Sequence, residues 1–170
     1  MDRLQPLIDD IVSQPTLPWE VILARLVGAI VFCGLIGLER EVRARPAGLR
    51  THMLVGLAAA LYCLIMLEII AEAGVYTDRV AMDPLRLLSA VTSGVAFLAA
   101  GMIVFAQGKV RGLTTGASLW LTAAVGVSAG LGMWLIAAMS AALSLLIMRI
   151  VKMAEVAARR RFGDEAEDDR

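Results

Sequence analysis

The chain has 170 residues, of which 59% are hydrophobic and only 19% charged, and its mean hydropathy is +0.75. Soluble domains carry about 45–50% apolar and about 25% charged residues, so this composition excludes an ordinary soluble domain. Long apolar runs with charged stretches between them predict an all-α fold, a polytopic bundle of membrane helices set in a lipid bilayer. The formal net charge is zero, which gives no indication of a nucleic-acid partner.

Apolar segments predict five transmembrane helices. The first three cover 19–38, 51–71 and 84–105, and one continuous apolar stretch covers 113–151. That stretch is about twice the roughly 20 residues that one helix needs to cross a bilayer. Because glycines permit tight turns, we expect the fourth and fifth helices to meet at 128–132, where Gly130 and Gly132 lie.

The segment before the first span contains acids and prolines but no apolar core, so it does not resemble a cleavable signal peptide. We expect an extracytoplasmic arm over 1–18, a transmembrane domain over 19–152 and a charged, disordered cytoplasmic tail over 153–170. The first loop, the third loop and the tail fall on one side and hold most of the lysines and arginines. Cytoplasmic loops carry this excess, so we expect the N-terminus outside and the C-terminus in the cytoplasm.

The stretch GLEREVRARPAGLRTH, residues 37–52, places two acids, four arginines and the only histidine between two apolar spans. Sorting of positive charge to the cytoplasm explains the arginines but does not require the acids. We therefore expect Glu39 and Glu41 to pair with Arg50 or Arg111 across the inner ends of the first, second and fourth helices. The candidate site is a cytoplasmic charge cluster made of Glu39, Arg40, Glu41, Arg50, Thr51, His52 and Arg111.

Four charged residues are predicted near the outer side. Arg25 and Glu68 lie inside the first two spans at similar depth, where they either form a salt bridge or each reach separately to the outer interface. Asp83 before Pro84 is typical of a helix start, with the acid as N-cap and proline in the first turn. The alternative is that Asp83 and Arg86 bind a cation or anchor a partner at the outer mouth.

Small and hydroxyl residues recur at helical spacing on the last three helices, and among them are Ser89, Ser93, Thr115, Ser118 and Thr122. Such stripes allow close helix packing, within the chain or between chains. The alternative is a narrow polar pathway, but no acid lies mid-membrane on these helices, whereas divalent ions prefer oxygen ligands such as carboxylates and carbonyls. We favour packing, and we expect a homodimer through the glycine-rich fourth helix.

The stretch KVRGLTTGAS, 109–118, begins the fourth helix beside two basic residues. Topology and capping explain it simply, and an anion site at the helix N-terminus or a clamp on the loop acids is the alternative. Cys33 and Cys63 fall in the first two spans at different depths and are expected to be small buried side chains. Their spacing suits neither a disulfide nor a metal, so we expect no cofactor and assign no metal ligand.

Four stretches carry a resemblance to a known family. They are GLIGLERE (34–41), AGLRTHMLV (47–55), DPLRLLSAVTSGVAFLAAGMI (83–103) and VRGLTTGASLWLTAAVGVSAGLG (110–132). In this order they resemble the MgtC/SapB family of membrane proteins. Ala96 and Ala99 stand where the family motif more often has glycine, and Arg45-Pro46 also departs from it. About twenty residues follow the fifth span, where larger members carry a soluble domain.

The resemblance implies a multi-pass protein of the bacterial cytoplasmic membrane that acts in adaptation to low Mg²⁺ and, in pathogens, in survival inside host cells. The first hypothesis is a regulator or adaptor of other membrane proteins. The alternative is a transporter or channel for Mg²⁺ or another cation, with Glu39, Glu41 or Asp83 as ligands. Because the sequence has no nucleotide-binding motif and no nucleophile–base set, we do not expect an enzyme.

Overall fold

The computed structural model describes residues 15–76, 83–106 and 109–168. Over these ranges the prediction of an all-α helix bundle is confirmed, with one short hairpin added. The helices are α1 (Trp19–Val42), α2 (Leu49–Tyr76), α3 (Pro84–Met102), α4 (Leu113–Gly130) and α5 (Trp134–Asp168), and the strands are β1 (Val104–Ala106) and β2 (Lys109–Arg111). Most of the predicted N-terminal arm, 1–14, lies outside the described residues.

Among the described residues, three helices contain apolar segments long enough to cross a membrane. These segments are Trp19–Val42 in α1, Leu49–Glu72 in α2 and Trp134–Ala154 in α5, whereas α3 has a shorter apolar segment, Leu88–Met102. The remaining helix, α4, has 18 residues and contacts each of the other four helices. Helix α4 is therefore the central element, and the other four helices surround it.

The core lies where α1, α2, α4 and α5 meet, and small side chains such as Ala29, Ala60 and Ala129 dominate it. The glycine face of α4 is used inside the chain, since a Cβ added at Gly126 would overlap the carbonyl oxygen of Gly56 on α2. A Cβ at Gly130 would likewise lie 2.7 Å from the Cα of Ala60. Close approach of two helix backbones therefore explains this stripe, as the packing interpretation predicts.

The stripe on α3 has a different environment from the one on α4. Ser89 and Ser93 are exposed, and the Ser89 hydroxyl donates to Leu85 O of its own helix at 3.1 Å. The α3 stripe therefore does not pack against another helix in the described part of this chain, and its packing between chains stays a prediction. Cys33 and Cys63 are both buried free cysteines.

Gly132 and Ala44 lie in the turns that follow α4 and α1, respectively. The turn between α4 and α5 falls at the predicted place, where Gly132 takes a left-handed conformation with φ of +77°. At the end of α1, Ala44 takes the same region with φ of +49°, and its N–H donates to Glu41 O while Arg45 N–H donates to Arg40 O. This pair of bonds closes the helix in the Schellman pattern, which normally uses glycine.

Two boundaries differ from the prediction. The third span does not reach Phe105, because α3 ends at Met102 and Val104–Ala106 pairs antiparallel with Lys109–Arg111. Valine and phenylalanine favour the extended backbone, which a hydropathy pattern cannot separate from a helix end. The tail expected to be disordered instead continues α5 to Asp168. Its alanine, glutamate and arginine content gives a strong helix propensity that charge alone does not indicate.

Replacing Gly126 with alanine is expected to lower the free energy of unfolding by about 1–3 kcal/mol, because the added methyl overlaps the backbone of α2. Gly94 on α3 is the matched control, since a Cβ there meets nothing within 4 Å in the described part of the chain. Gly94→Ala is therefore expected to be neutral or to stabilise by up to about 1 kcal/mol through helix propensity. Denaturant titration in detergent micelles measures both, and equal losses would contradict the close α2–α4 contact.

Candidate functional site

The predicted charge cluster lies at one end of the bundle, which we call the basic end. It consists of the last turn of α1, the loop 43–48, the first turns of α2 and α4, and the β1–β2 hairpin. The other end, which contains the α4–α5 turn at 131–133, is the opposite end.

Arg40 is the central charge of the basic end and only 3% of it is exposed. Its Nη2 donates to Thr115 Oγ1 on α4 at 3.0 Å, and its Nη1 lies 3.9 Å from Met148 Sδ on α5. Within the described residues its Nε has no hydrogen-bond partner. A buried guanidinium is thus held by a hydroxyl and a thioether, without a carboxylate bonded to it, which is a costly arrangement in an apolar environment.

His52 on α2 extends the network and is fully buried. Its Nδ1 lies 2.8 Å from Gly48 O, and its Nε2 lies 3.2 Å from Ser118 Oγ. A carbonyl oxygen only accepts, so Nδ1 carries a proton, and in the neutral ring Nε2 accepts from the Ser118 hydroxyl. That hydroxyl also lies 2.8 Å from Thr115 O, and its single proton serves one of these two acceptors at a time.

Residue spacing explains why these side chains meet. Thr115, Ser118 and Thr122 are three and four positions apart, so they share the inward face of α4 and all three are buried. Gly37 lets α2 approach α1, because a Cβ there would lie 2.8 Å from the Cβ of His52. The hydroxyl of Thr122 donates to Ser118 O, and the Cys33 thiol lies 3.5 Å from Thr122 O. A polar column therefore runs from the basic end into the bundle.

The expected pairing of the loop acids with Arg50 or Arg111 is wrong, because both acids have other partners. Glu39 instead lies 2.6 Å from the Nε of Arg43, one turn further along α1. The contact is an ion pair by distance but not by hydrogen-bond angle, and neither carboxylate oxygen has a hydrogen-bond donor within the described ranges. An i,i+4 partner on the same helix is available without tertiary rearrangement, which favours it over a residue of another helix.

Glu41 caps α2 across the loop. Its Oε2 accepts the backbone N–H of Leu49 at 3.0 Å, which satisfies one of the free donors at that helix start. Gly48 leaves room for this contact, because a Cβ there would overlap the same carboxylate oxygen. The GLEREV and AGLR stretches therefore belong together as a helix–loop–helix connection closed by Glu41.

Sequence reasoning missed Met148. Its sulfur faces Arg40, and its backbone oxygen accepts from Arg43 Nη1 at 3.2 Å. Both arginines therefore hold α5 at one residue, more than a hundred positions further along the chain. An apolar methionine in an apolar helix gives no sequence signal for this role. Thr51, predicted in the cluster, is half-buried at the start of α2 and has no assigned side-chain bond among the described residues.

Arg25 and Glu68, both predicted on the outer side, lie at the opposite end, and in the described structure each bonds to backbone groups rather than to the other. Arg25 Nη1 donates to Gly130 O at 3.0 Å and so binds the carbonyl end of α4, where a cation is favoured by the helix dipole. Glu68 accepts the backbone N–H groups of Thr16 at 2.8 Å and Leu17 at 3.2 Å. Its partners are thus backbone groups just before α1.

The predicted start of α3 is confirmed. Asp83 accepts the N–H of Leu85 at 2.9 Å, with Pro84 in the first turn. Capping therefore accounts for this acid, and Arg86 is exposed one turn further along the helix.

Apolar helices packed around a buried polar column define a polytopic helical membrane protein. The chain belongs to the MgtC family, whose model matches residues 26–157. It is 38% identical over 128 residues to the "Putative magnesium transporter YhiD" of Escherichia coli (strain K12), which covers 75% of this chain and 59% of that protein. It is 45% identical over 107 residues to "Protein MgtC" of Brucella abortus, covering 61% of this chain and 40% of that protein.

An uncharacterised protein of Synechocystis sp. is 40% identical over 108 residues, covering 64% of this chain and 42% of that protein. The chain thus spans about six-tenths or less of the length of these curated relatives. No solved structure matches it.

Replacing Thr115 with valine is expected to lower the free energy of unfolding by about 1–3 kcal/mol, because it removes the hydroxyl that accepts from buried Arg40 while keeping the side-chain shape. Thr92 on α3 is the matched control: it is exposed and its hydroxyl donates to Leu88 O of its own helix. Thr92→Val is expected to change stability by no more than about 0.5 kcal/mol. Denaturant titration in micelles compares them, and similar small effects would show that Arg40 does not depend on Thr115.

Proposed function

We propose that this chain is a regulator or adaptor in the bacterial cytoplasmic membrane, acting in adaptation to low Mg²⁺ through contacts with other membrane proteins. Membership of the MgtC family and the names of its relatives support the connection to magnesium. The observation that carries the choice of regulator over transporter is the sign of the charge beside α4, carried by buried Arg40 and half-buried Arg25. Arg40 lies at the basic end of the bundle and Arg25 at the opposite end, both hydrogen-bonded to the central helix α4.

Positive charge at both ends opposes the passage of a divalent cation along α4. At an effective dielectric constant of about 20, a divalent cation about 6 Å from a guanidinium is repelled by roughly 5 kcal/mol. Mg²⁺ also requires near-octahedral oxygen ligands and gives up its water reluctantly. The hydroxyls of Thr115, Ser118 and Thr122 already bond within the chain, to Arg40 or to α4 carbonyl oxygens.

The second candidate function is transport of Mg²⁺ or another cation, which the name of the Escherichia coli relative favours. The proposed acidic ligands would have to be released from their present contacts. Glu39 faces Arg43, Glu41 caps α2 and Asp83 caps α3. Each of these contacts has a structural explanation of its own, so we rank transport second.

We also propose that the basic end faces the cytoplasm, because its loops contain an excess of arginine and lysine.

A homodimer is proposed as well, although not through the glycine face of α4, which packs against α2. The exposed serines on α3 make that helix the better candidate for contact with a second copy.

A flux assay separates the two functions. The purified chain is reconstituted in liposomes that contain a Mg²⁺-sensitive dye, and Mg²⁺ is added outside. We expect wild type and Glu39→Gln to admit Mg²⁺ no faster than empty liposomes do, because no acidic pathway crosses the part of the bundle that the structure describes. Mg²⁺ influx through wild type that Glu39→Gln abolishes would overturn regulation as the sole function.

The regulatory function is tested in cells that lack the gene and grow poorly at low Mg²⁺. A photoreactive residue at Arg50, which is exposed at the basic end, is expected to crosslink a defined membrane protein while the chain restores growth. The same group at Trp134, at the opposite end, is the control position. Restored growth with no crosslink at any exposed position of the bundle would count against an adaptor.

A further inference from the structure

The N-terminus of α4 lies at the basic end without a side-chain cap. Its N-cap is Gly112, which has φ of +90° and no side chain that could accept a hydrogen bond. The first backbone bond of the helix joins Gly116 N–H to Gly112 O at 2.8 Å, so the N–H groups of Leu113, Thr114 and Thr115 precede the helical ladder. These donors carry the positive end of the dipole of an 18-residue helix, about half an elementary charge.

The buried guanidinium of Arg40 lies against the same turn. Its Nη2 donates to Thr115 Oγ1 at 3.0 Å, it is 3% exposed, and its Nε lacks an acceptor in the part of the chain described. A cation is unfavourable here because it is buried and because it lies beside the positive end of a helix. A negative charge between the guanidinium and the first-turn N–H groups would stabilise this arrangement, because helix N-termini favour anions.

The nearby acids do not supply that charge. Glu39, Arg43 and Arg45 are all close enough for their charges to act on Arg40, which makes one carboxylate among three guanidinium groups. Glu39 lies against Arg43, and Glu41 accepts from Leu49 N–H. The basic end therefore keeps an excess of positive charge after its own ion pair is formed.

The turn is also open to a ligand on its outer side. Leu113 is 59% exposed, and Thr114 and Arg111 are exposed beside it, whereas Thr115 is buried beneath. Buried polar side chains therefore lie beneath a helix turn whose first two residues are exposed.

We propose that the first turn of α4 and the Arg40 guanidinium form a binding site for a phosphate group. A phosphate has several acceptor oxygens in different directions, which suit converging N–H groups, two threonine hydroxyls and an arginine fork. The phosphate is either inorganic and soluble or part of an anionic phospholipid headgroup, because the proposed orientation puts the basic end at the cytoplasmic surface of the membrane. The inference does not rest on the proposed regulatory function.

Binding of inorganic phosphate is measured by titration calorimetry on purified protein in nanodiscs of phosphatidylcholine, at constant ionic strength set with chloride. Arg40→Gln is expected to weaken phosphate binding about tenfold or more, because it removes a charge-assisted hydrogen bond. Arg50→Gln, which removes an exposed charge at the same end, is the matched control and is expected to change affinity less than about threefold.

Leu113→Glu keeps the experiment decisive where Arg40→Gln does not fold. It places a carboxylate at the first helical position, where it supplies the missing anion, so phosphate affinity is expected to fall about tenfold while thermal stability rises. Val110→Glu puts the same charge on exposed β2, outside the helix turn, as its control.

A second arm replaces phosphatidylcholine with phosphatidylglycerol and measures the thermal midpoint without added phosphate. Stabilisation by the anionic lipid that Leu113→Glu and Arg40→Gln remove, without binding of inorganic phosphate, supports the site with a headgroup as its ligand. Binding of inorganic phosphate with the same variant dependence supports a soluble ligand. Binding from neither source, or binding that Arg50→Gln and Val110→Glu weaken as strongly, overturns the proposal. Mg²⁺ flux has no bearing on any of these outcomes.

Discussion

The contact between the Arg40 guanidinium and the Thr115 hydroxyl is the interaction on which the basic end of the bundle depends. It joins α1 to α4, and Ser118 and His52 carry the same network on to α2. Through Met148, Arg40 also reaches α5. Polar groups among apolar helices must bond to one another, because lipid offers them no partners. One connected network of polar contacts thereby holds four helices in register. Sliding any one of them would leave a buried donor or acceptor without a partner.

This network forms only because the helix backbones come unusually close. Gly37 admits the Cβ of His52, Gly48 admits the carboxylate of Glu41, and Gly126 admits the backbone of α2. Lipid exerts no hydrophobic force between apolar helices, so close packing and hydrogen bonds must provide their association. In this bundle the two are coupled, since the small residues set the distance at which the hydroxyl, imidazole and guanidinium groups can reach one another. The signature stretches at 34–41 and 47–55 are thus explained more by packing and capping than by exposed loop charge.

Features fixed by short segments were predictable from sequence, and features fixed by tertiary approach were not. Helix order, the turn at Gly132 and the Asp83 cap each depend on a few neighbouring residues, and the structure has all three. The inward face of α4 followed from the spacing of its hydroxyl residues. The partners of Glu39 and Glu41 did not, because either acid has several cations within reach and the choice depends on where α1 ends. The role of Met148 left no pattern at all, since a thioether becomes an acceptor only when a buried guanidinium is placed beside it.

The excess of positive charge at the basic end connects the two proposals without making either depend on the other. It repels a divalent cation entering along α4, and it attracts an anion to the uncapped turn that Arg40 faces. A phosphate that bonds Arg40 would compete for the N–H groups that now reach Thr115 and Met148. Phosphate binding and the position of α5 would then be linked. The free energy of this coupling cannot exceed the difference in phosphate-binding free energy between the two positions of α5. A regulator needs such a link between a ligand and a helix, whereas a pore for Mg²⁺ would need the opposite sign of charge at the same place.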